Sequence, residues 1–386
     1  MRDEIQEISA GEVSRALDVA ASQARRNLSL FASKCQNHTS VGSFYPVCEN
    51  VQWTCGFWPG VVWLSYEHTG DEAFAQCGRA LAGSFSNRIK KKIEVGHHDM
   101  GFLYTPSCVA AYKLTGDKAA REAALLAADQ LISRYQKKGG FLQAWGDMGA
   151  PGNYRFIIDC LMNLPLLYWA SIETGGAGYR EIADAHTATC LKYSFREDGS
   201  TYHTVFMDAD TGEMARGETC QGYSDDSYWA RGQAWAICGA ALNYRYTKNP
   251  DILQAFRRAL GFYLSKLPDD MVPYWDMIFT SGDEEPRDSS SASIVACGLL
   301  EMARSAPAGE AGKYVSIAKR MMKSLVDDYS VKDPAVSNGL VLHATYSKKS
   351  PYNTCTQEGV DECASWGDYF YMEALTRLRG KWRPYW

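Results

Sequence analysis

Four segments of the chain repeat one design. In "VVWLSYEHTGDEAFAQCGRAL", "SCVAAYKLTGDKAAREAALLAADQL", "PLLYWASIETGGAGYREIADA" and "GAALNYRYTKNPDILQAFRRAL", an apolar helix runs out to an aromatic, then to Thr with Gly or a polar residue, and a second helix follows. A helix that is apolar all round must be buried, and one with a single apolar stripe must lie against it. Each segment therefore reads as a helical hairpin with a short turn. "SASIVACGLLEMARSAPAGEAGKYVSIAKRMMKSLV" is a fifth, less regular copy. The first helix, at about residues 11–32, and the last, "WGDYFYMEALTRL", lack partners in sequence and make a sixth hairpin with each other. Six hairpins close a ring, so the sequence predicts an all-α toroid in a single domain over residues 1–386, with no Pro/Gly/Ser linker. Helices poor in charge, such as "ARGQAWAICGAALNYRY", form the inner ring, and amphipathic ones, such as "DILQAFRRALGFYLSKL", the outer. The inner helices then run parallel, with their N-termini at one face. "GSTYHTVFMDADTGEMARG" fits a small β-hairpin in a loop.

The turn threonines Thr69, Thr115, Thr174 and Thr247 align the repeats. Pro59, Pro106 and Pro165 fall nine or ten residues before the first three, near enough to the helix starts to be tolerated. Fifteen or sixteen residues before the threonines stand Trp53, Asp99, Asp159 and Arg231. An Asp at a helix start is ordinarily a cap, and Asp225 and Asp226 read that way. Four separate caps would not include Trp and Arg, so the aligned positions predict a functional mouth flanked by His97, His98, Trp229 and Trp235. Two carboxylates at one rim suit acid–base chemistry, because a buried or paired acid holds its proton to higher pH. Asp159, between Ile158 and Cys160, is the candidate acid. Asp99, beside two imidazoles and near a glycine, is the one that stays ionised. Arg231 could hold a substrate carboxylate, while Trp53 and Trp235 offer flat faces to a sugar ring.

Composition narrows the partners. A net charge of -5 without Lys/Arg runs argues against a nucleic-acid surface, and 46% hydrophobic residues supply a large core. The twelve cysteines contain no C-x-x-C pair, and several sit in apolar runs where Cys serves as a small hydrophobe, so they read as reduced and structural. Adjacent His97 and His98 do not readily face one metal from a helix start, and no H-E-x-x-H, G-x-S-x-G or phosphate loop is present. The glycine-rich "GGFLQAWG" and "GGAGY" read as turns. No metal and no cofactor are expected. The N-terminus has no apolar signal region and no stretch spans a bilayer, which fits a cytoplasmic or periplasmic protein, monomeric or a weak homodimer.

"HHDMGFLY", "IIDCLMNLPLLYWA", "QGYSDDSYWARGQAW", "DSSSASIVACGLLEMA" and "WGDYFYMEAL", in this order, resemble the unsaturated glucuronyl hydrolases of glycoside hydrolase family 88 over roughly residues 45 to 380. The resemblance implies an (α/α)6 barrel that acts on oligosaccharides left by polysaccharide lyases, whose non-reducing end is a 4,5-unsaturated uronic acid. It implies that Asp159 is the general acid/base, protonating C4 and activating water for attack at C5, and that Asp99 is the second essential acid. Trp53 would stack on the sugar, and His98, His203, Gly217, Thr219, Gln221, Arg231 and Trp235 would line the substrate and water site. Ser347, Lys348 and Ser350 in "HATYSKKSPYN" correspond to a loop that touches sulfate in some relatives, although Tyr352 stands where relatives favouring sulfated chains carry lysine. The readings left beside this one are a rhamnogalacturonyl hydrolase acting on pectin fragments and a catalytically silent sugar-binding toroid.

Overall fold

The turns make the hairpins. Thr69, Thr115, Thr174 and Thr247 each donate the side-chain hydroxyl to the carbonyl four residues back, at 2.7, 2.7, 2.7 and 3.0 Å. The next residue turns left-handed: Gly70, Gly116 and Gly175 at φ 69, 73 and 75°, and Lys248 at φ 55°. Gly takes this conformation without a Cβ penalty and ends the helix. Asp71, Asp117 and Asn249 then cap the following helix, accepting the N–H of Ala73, Ala119 and Asp251 at 2.9, 2.8 and 2.9 Å.

The computed structural model describes residues 5–307, 309–380 and 382–386. The helices are α1 (Ala10–Phe31), α2 (Phe57–Thr69), α3 (Glu72–Lys90), α4 (Met100–Tyr104), α5 (Ala110–Thr115), α6 (Lys118–Ile132), α7 (Cys160–Thr174), α8 (Ala177–Tyr193), α9 (Ala230–Thr247), α10 (Pro250–Lys266), α11 (Ser289–Ala303), α12 (Ala311–Ser324) and α13 (Ser365–Arg379). α4 and α5 are one inner helix interrupted by a π-helical turn, Thr105–Val109, which absorbs Pro106 and its missing N–H. Around the inner ring, α2 meets the α4–α5 helix, then α7, α9, α11 and α13 follow in turn, and α13 packs back on α2. α1 packs on α13, completing the sixth hairpin. The fold is thus the all-α (α/α)6 barrel, with α3, α6, α8, α10, α12 and α1 outside.

Short strands decorate the loops: β1 (Cys35–Gln36) with β2 (Val47–Cys48), and β3 (Tyr135–Gln136) with β4 (Phe141–Leu142). The segment read as a hairpin forms β6 (Thr204–Met207) and β7 (Met214–Glu218), and a third strand, β5 (Arg155–Ile157), joins it immediately before α7. At the far end of the barrel the chain from Trp382 onward closes the ring. Trp386 stacks on Phe370 with centroids 5.8 Å apart and donates to Glu373 at 2.7 Å, and Lys113 donates to the carbonyls of Pro384 and Tyr385. This segment covers the end of the barrel opposite the starts of the inner helices. All twelve cysteines are free thiols, ten of them buried, and no helix among the described residues is long and apolar enough to cross a membrane.

Glycines let the inner helices touch. A Cβ on Gly298 of α11 would lie 2.8 Å from the Cys238 Cα of α9. Gly298→Val is expected to force the pair apart at a cost of about 1–3 kcal/mol, seen as a lower urea midpoint with unchanged slope.

Candidate active site

Asp99 and Asp159 occupy the capping positions of α4 and α7, yet neither side chain caps its helix. Both are aimed across the mouth instead. Their helices are clamped by Gly101, where a Cβ would come 2.4 Å from the Asn163 Cα, and by the Asn163 side chain, which accepts the Phe102 N–H at 2.9 Å and donates to the Asp159 carbonyl at 3.3 Å. His98 stands between the two acids, its Nε2 3.3 Å from Asp99 and 3.5 Å from Asp159. His97 holds the other oxygen of Asp99 from 2.9 Å.

Three buried ionisable groups in one space cannot all be charged. Burial pushes His98 down to about 4, leaving it neutral near pH 7. Burial would raise Asp99, but the flanking imidazoles of His98 and His97 outweigh it and hold the carboxyl below its ordinary value. Burial and the Asp99 charge together push Asp159 well above the usual carboxylate range, against the pull of Arg231. Asp159 Oδ1 and His98 Nδ1 are buried without a hydrogen-bond partner, two polar atoms left for something that enters the cleft. The pocket therefore holds a protonated acid 14% exposed beside an ionised one 10% exposed. Ligand atoms of His98, Asp99 and Asp159 lie within 4.8 Å of one another, but a carboxyl that keeps its proton is a poor ligand for a cation.

Trp53 is half-buried at the rim, stacked on Trp366 at 5.4 Å and bonded through Nε1 to the Tyr346 hydroxyl at 3.5 Å. Arg88 ties its loop to the acid-bearing one: its guanidinium donates to Asn50, Val51 and Gln52 on one side and to Ile93 and Glu94 on the other, at 2.7–3.1 Å. His203 is buried against Trp229 at 4.2 Å and accepts the Cys220 N–H at 2.8 Å; burial and Arg231 push it down to about 3. Thr219 accepts the Gly222 N–H, and Gly217 lies under the Tyr202 ring, where a Cβ would come within 2.3 Å. Gln221 accepts from Arg231.

Several positions differ from the sequence reading. Arg231 is 1% exposed and its donors go to Gln221, the carbonyls of Thr345 and Tyr346, and Asp288 at 3.5 Å, so it holds the loops over the site and has no free fork for a substrate carboxylate. Trp235 lies one turn deeper, 1% exposed and covered by Phe102 at 5.0 Å and Phe370 at 5.6 Å, a floor and not a stacking face. Ser347 and Ser350 are 5% and 6% exposed and donate to the carbonyls of Thr356 and Tyr223, because the loop needs them to fold. Asp225 accepts the Thr219 N–H, and neither it nor Asp226 caps α9. The sequence reading also passed over Trp145 in "GGFLQAWG", 43% exposed with its ring 6.4 Å from His98 and Arg155 over its face. Asp288, at the start of α11, was hidden because the fifth hairpin lacks the turn threonine that aligned the others.

Known proteins match the sequence and the fold of this chain. The profile of Glycosyl Hydrolase Family 88 matches residues 30–376. The unsaturated chondroitin disaccharide hydrolase of Streptococcus pyogenes serotype M1 is 45% identical over 98% of this chain and 94% of its own length. The crystal structure of the unsaturated glucuronyl hydrolase from Streptococcus agalactiae superposes with a TM-score of 0.95 at 41% identity, covering 99% of this chain and 95% of that one. A mutant of the same enzyme, complexed with dGlcA-GalNAc6S, gives a TM-score of 0.87 at 38% identity over 99% of this chain and 95% of that one. With an (α/α)6 barrel and a near full-length match to its profile and its members, this chain belongs to Glycosyl Hydrolase Family 88.

Proposed function

We propose that the protein, acting through one catalytic domain over residues 1–386, releases 4,5-unsaturated uronic acid from the non-reducing end of lyase-generated glycosaminoglycan oligosaccharides of chondroitin, hyaluronan or heparin type. The observation that carries the proposal is the pair of buried carboxyls, Asp99 and Asp159, 3.3 and 3.5 Å from one shared imidazole, with the first held below and the second pushed above the usual carboxylate range. The enol ether of an unsaturated uronide is electron-rich at C4. Asp159 delivers its proton there, and the positive charge that develops at C5 and the ring oxygen is stabilised by ionised Asp99. Water adds at C5, giving up a proton to the Asp159 carboxylate, and the resulting hemiketal opens to release the next sugar. The usual two-carboxylate attack at the anomeric carbon is not the route. Trp53 carries the sugar face, and His98, His203, Thr219 and Gln221 supply polar edges, while Arg231, Trp235 and Gly217 shape the wall. One chain supplies every group, so a monomer or weak homodimer suffices, and we assign it to the cytoplasm or periplasm.

The relative bound to dGlcA-GalNAc6S takes a sulfated sugar. In this chain Ser347 and Ser350 are spent on backbone carbonyls, Lys348 pairs with Glu285 at 2.8 Å, and Tyr352 is exposed at the same loop. A 6-sulfated chondroitin disaccharide is therefore expected to be hydrolysed with no higher kcat/KM than the unsulfated one. A clear preference for sulfate would overturn this part of the reading.

Asp159→Asn is isosteric and cannot deliver a proton, so turnover, followed as loss of ultraviolet absorbance of the unsaturated uronate, is expected to fall by about 10²-fold or more. Retention of a tenth of the activity would remove Asp159 from the role of acid. In Asp99→Asn the neighbouring charge is gone, and carboxyl NMR should find Asp159 titrating at lower pH than in the parent. In methanol–water the nucleophile should be trapped as a C5 methyl ketal with its glycosidic bond intact; a methyl glycoside at C1, or turnover of a saturated glucuronide, would point to an ordinary glycosidase. Exhaustive chelation is expected to leave the rate unchanged.

A further inference from the structure

The start of α7 and the end of α8 belong to a closed circuit that runs through the site. Asp159 precedes Cys160, the first residue of α7, and Ile158 before it donates its N–H to the His203 carbonyl at 3.1 Å. Tyr202, next to His203, donates to the Ser194 carbonyl at 2.9 Å, and Ser194, just past α8, donates to the Cys190 carbonyl at 2.9 Å. The circuit closes where the two cysteines meet. Their sulfurs stand 3.2 Å apart, in residues 1% and 0% exposed. His186 Nδ1 accepts the Leu142 N–H at 3.0 Å, which leaves the ring proton on Nε2, 3.7 Å from the Cys190 sulfur. That proton denies a metal the lone pair it would need, although the three ligand atoms lie within 4.8 Å of one another. What stays open to the two sulfurs is a bond to each other. An S–S bond is about 2.0 Å long, so forming it closes the gap by about 1.2 Å.

Resting on the assignment of Asp159 as the acid, we propose that Cys160 and Cys190 form a reversible disulfide when a peroxide reaches them, and that the bond lowers turnover by shifting Asp159 against His98 and Asp99. The burial of both sulfurs selects a small oxidant. One cysteine attacks hydrogen peroxide as its thiolate, takes up an oxygen to become a sulfenic acid, and water leaves; the second thiol then displaces that hydroxyl as water, and the S–S bond forms. Two thiols and one hydrogen peroxide thus give one disulfide and two waters, the sulfurs losing the two electrons that the peroxide gains. The body of α7 does not yield to this closure. Gly101 of α4 packs on Asn163, and a Cβ on Gly239 of α9 would come 2.5 Å from the Leu161 side chain. The closure is therefore taken up in the first turn of α7 and in the Ile158–His203 and Tyr202–Ser194 links, which carry the acid and a wall residue of the cleft. Misplacing a reacting group by about 1 Å costs up to about 10²-fold in rate.

The test treats the full chain with hydrogen peroxide, measures turnover of an unsaturated chondroitin disaccharide, and maps the peptides without reduction. The expected result is a linked Cys160–Cys190 peptide, a kcat lower by about tenfold with KM little changed, and recovery on adding dithiothreitol. A fall in kcat at constant KM marks a displaced acid, because Trp53 and the rim lie outside the circuit. Cys190→Ala and Cys160→Ala cannot form the bond and should keep their rates under the same peroxide. A map without the linked peptide overturns the proposal, and so does a linked peptide with kcat unchanged. An equal loss in Cys190→Ala, or one that dithiothreitol does not reverse, overturns it as well by placing the damage elsewhere. Should a variant not fold, the map and the recovery in the parent decide alone. An active Asp159→Asn enzyme would instead overturn the assignment of the acid, and the linked peptide would still form.

Discussion

A buried pocket with two carboxyls and an imidazole can hold only a limited charge, and the polar groups packed around it decide where that charge sits. Asp99 receives it, because His97 and His98 stand against its oxygens. Asp159 is denied it, with one oxygen left without a donor and an anion in front. Spacing enforces the division. Gly101 and Asn163 lock α4 to α7, and a residue larger than glycine at that contact would separate the two carboxyls.

Arg231 is a cation that works against the raised pKa of Asp159, and its treatment is as informative as that of the carboxyls. A guanidinium with no other partner would favour the ionised form of Asp159 and pull its pKa down. Instead Asp288, Gln221 and two carbonyls take its donors, and Trp229, Trp366 and Tyr346 cover its faces at 4.6, 5.0 and 5.4 Å. The buried pair is costly to build, since both ions leave water. What it secures is geometry: the Thr345–Tyr346 segment is fixed over the mouth, and Tyr346 in turn fixes Trp53.

The barrel and its acids were legible because they repeat. Thr and a left-handed residue recur at each of the four turns, and an Asx cap at three of them, for local chemical reasons, so aligning the turns also aligned the helix starts, and Trp53, Asp99, Asp159 and Arg231 fell out together. What did not repeat could not be found that way. Trp145 and Tyr346 come from loops, Asp288 from the hairpin with an altered turn, and the partners of Cys160 and Arg88 from elsewhere in the fold. Depth was also invisible: Trp235 aligns with the mouth in sequence but one helical turn carries it into the core. Residue type suggested a substrate clamp for Arg231 and hydroxyl contacts for Ser347 and Ser350, where the structure uses all three to hold loops.

The two carboxyls and the rim above them therefore rest on different supports. Asp99 and Asp159 sit at the first turns of inner helices that touch through glycine and cannot shift without disturbing the ring. The rim is built from connections: residues 343–364 cross the mouth, with Glu362 gathering Ser40 and the N–H groups of Gly42 and Ser43, and His38 pairing with Glu358 at 2.7 Å. Loops of this kind accept substitution far more readily than a helix-packing contact does. On the 347–353 turn, Tyr352 is exposed and its side chain can be exchanged without breaking a hydrogen bond that holds the loop, whereas Ser347, Lys348 and Ser350 are each tied to a partner.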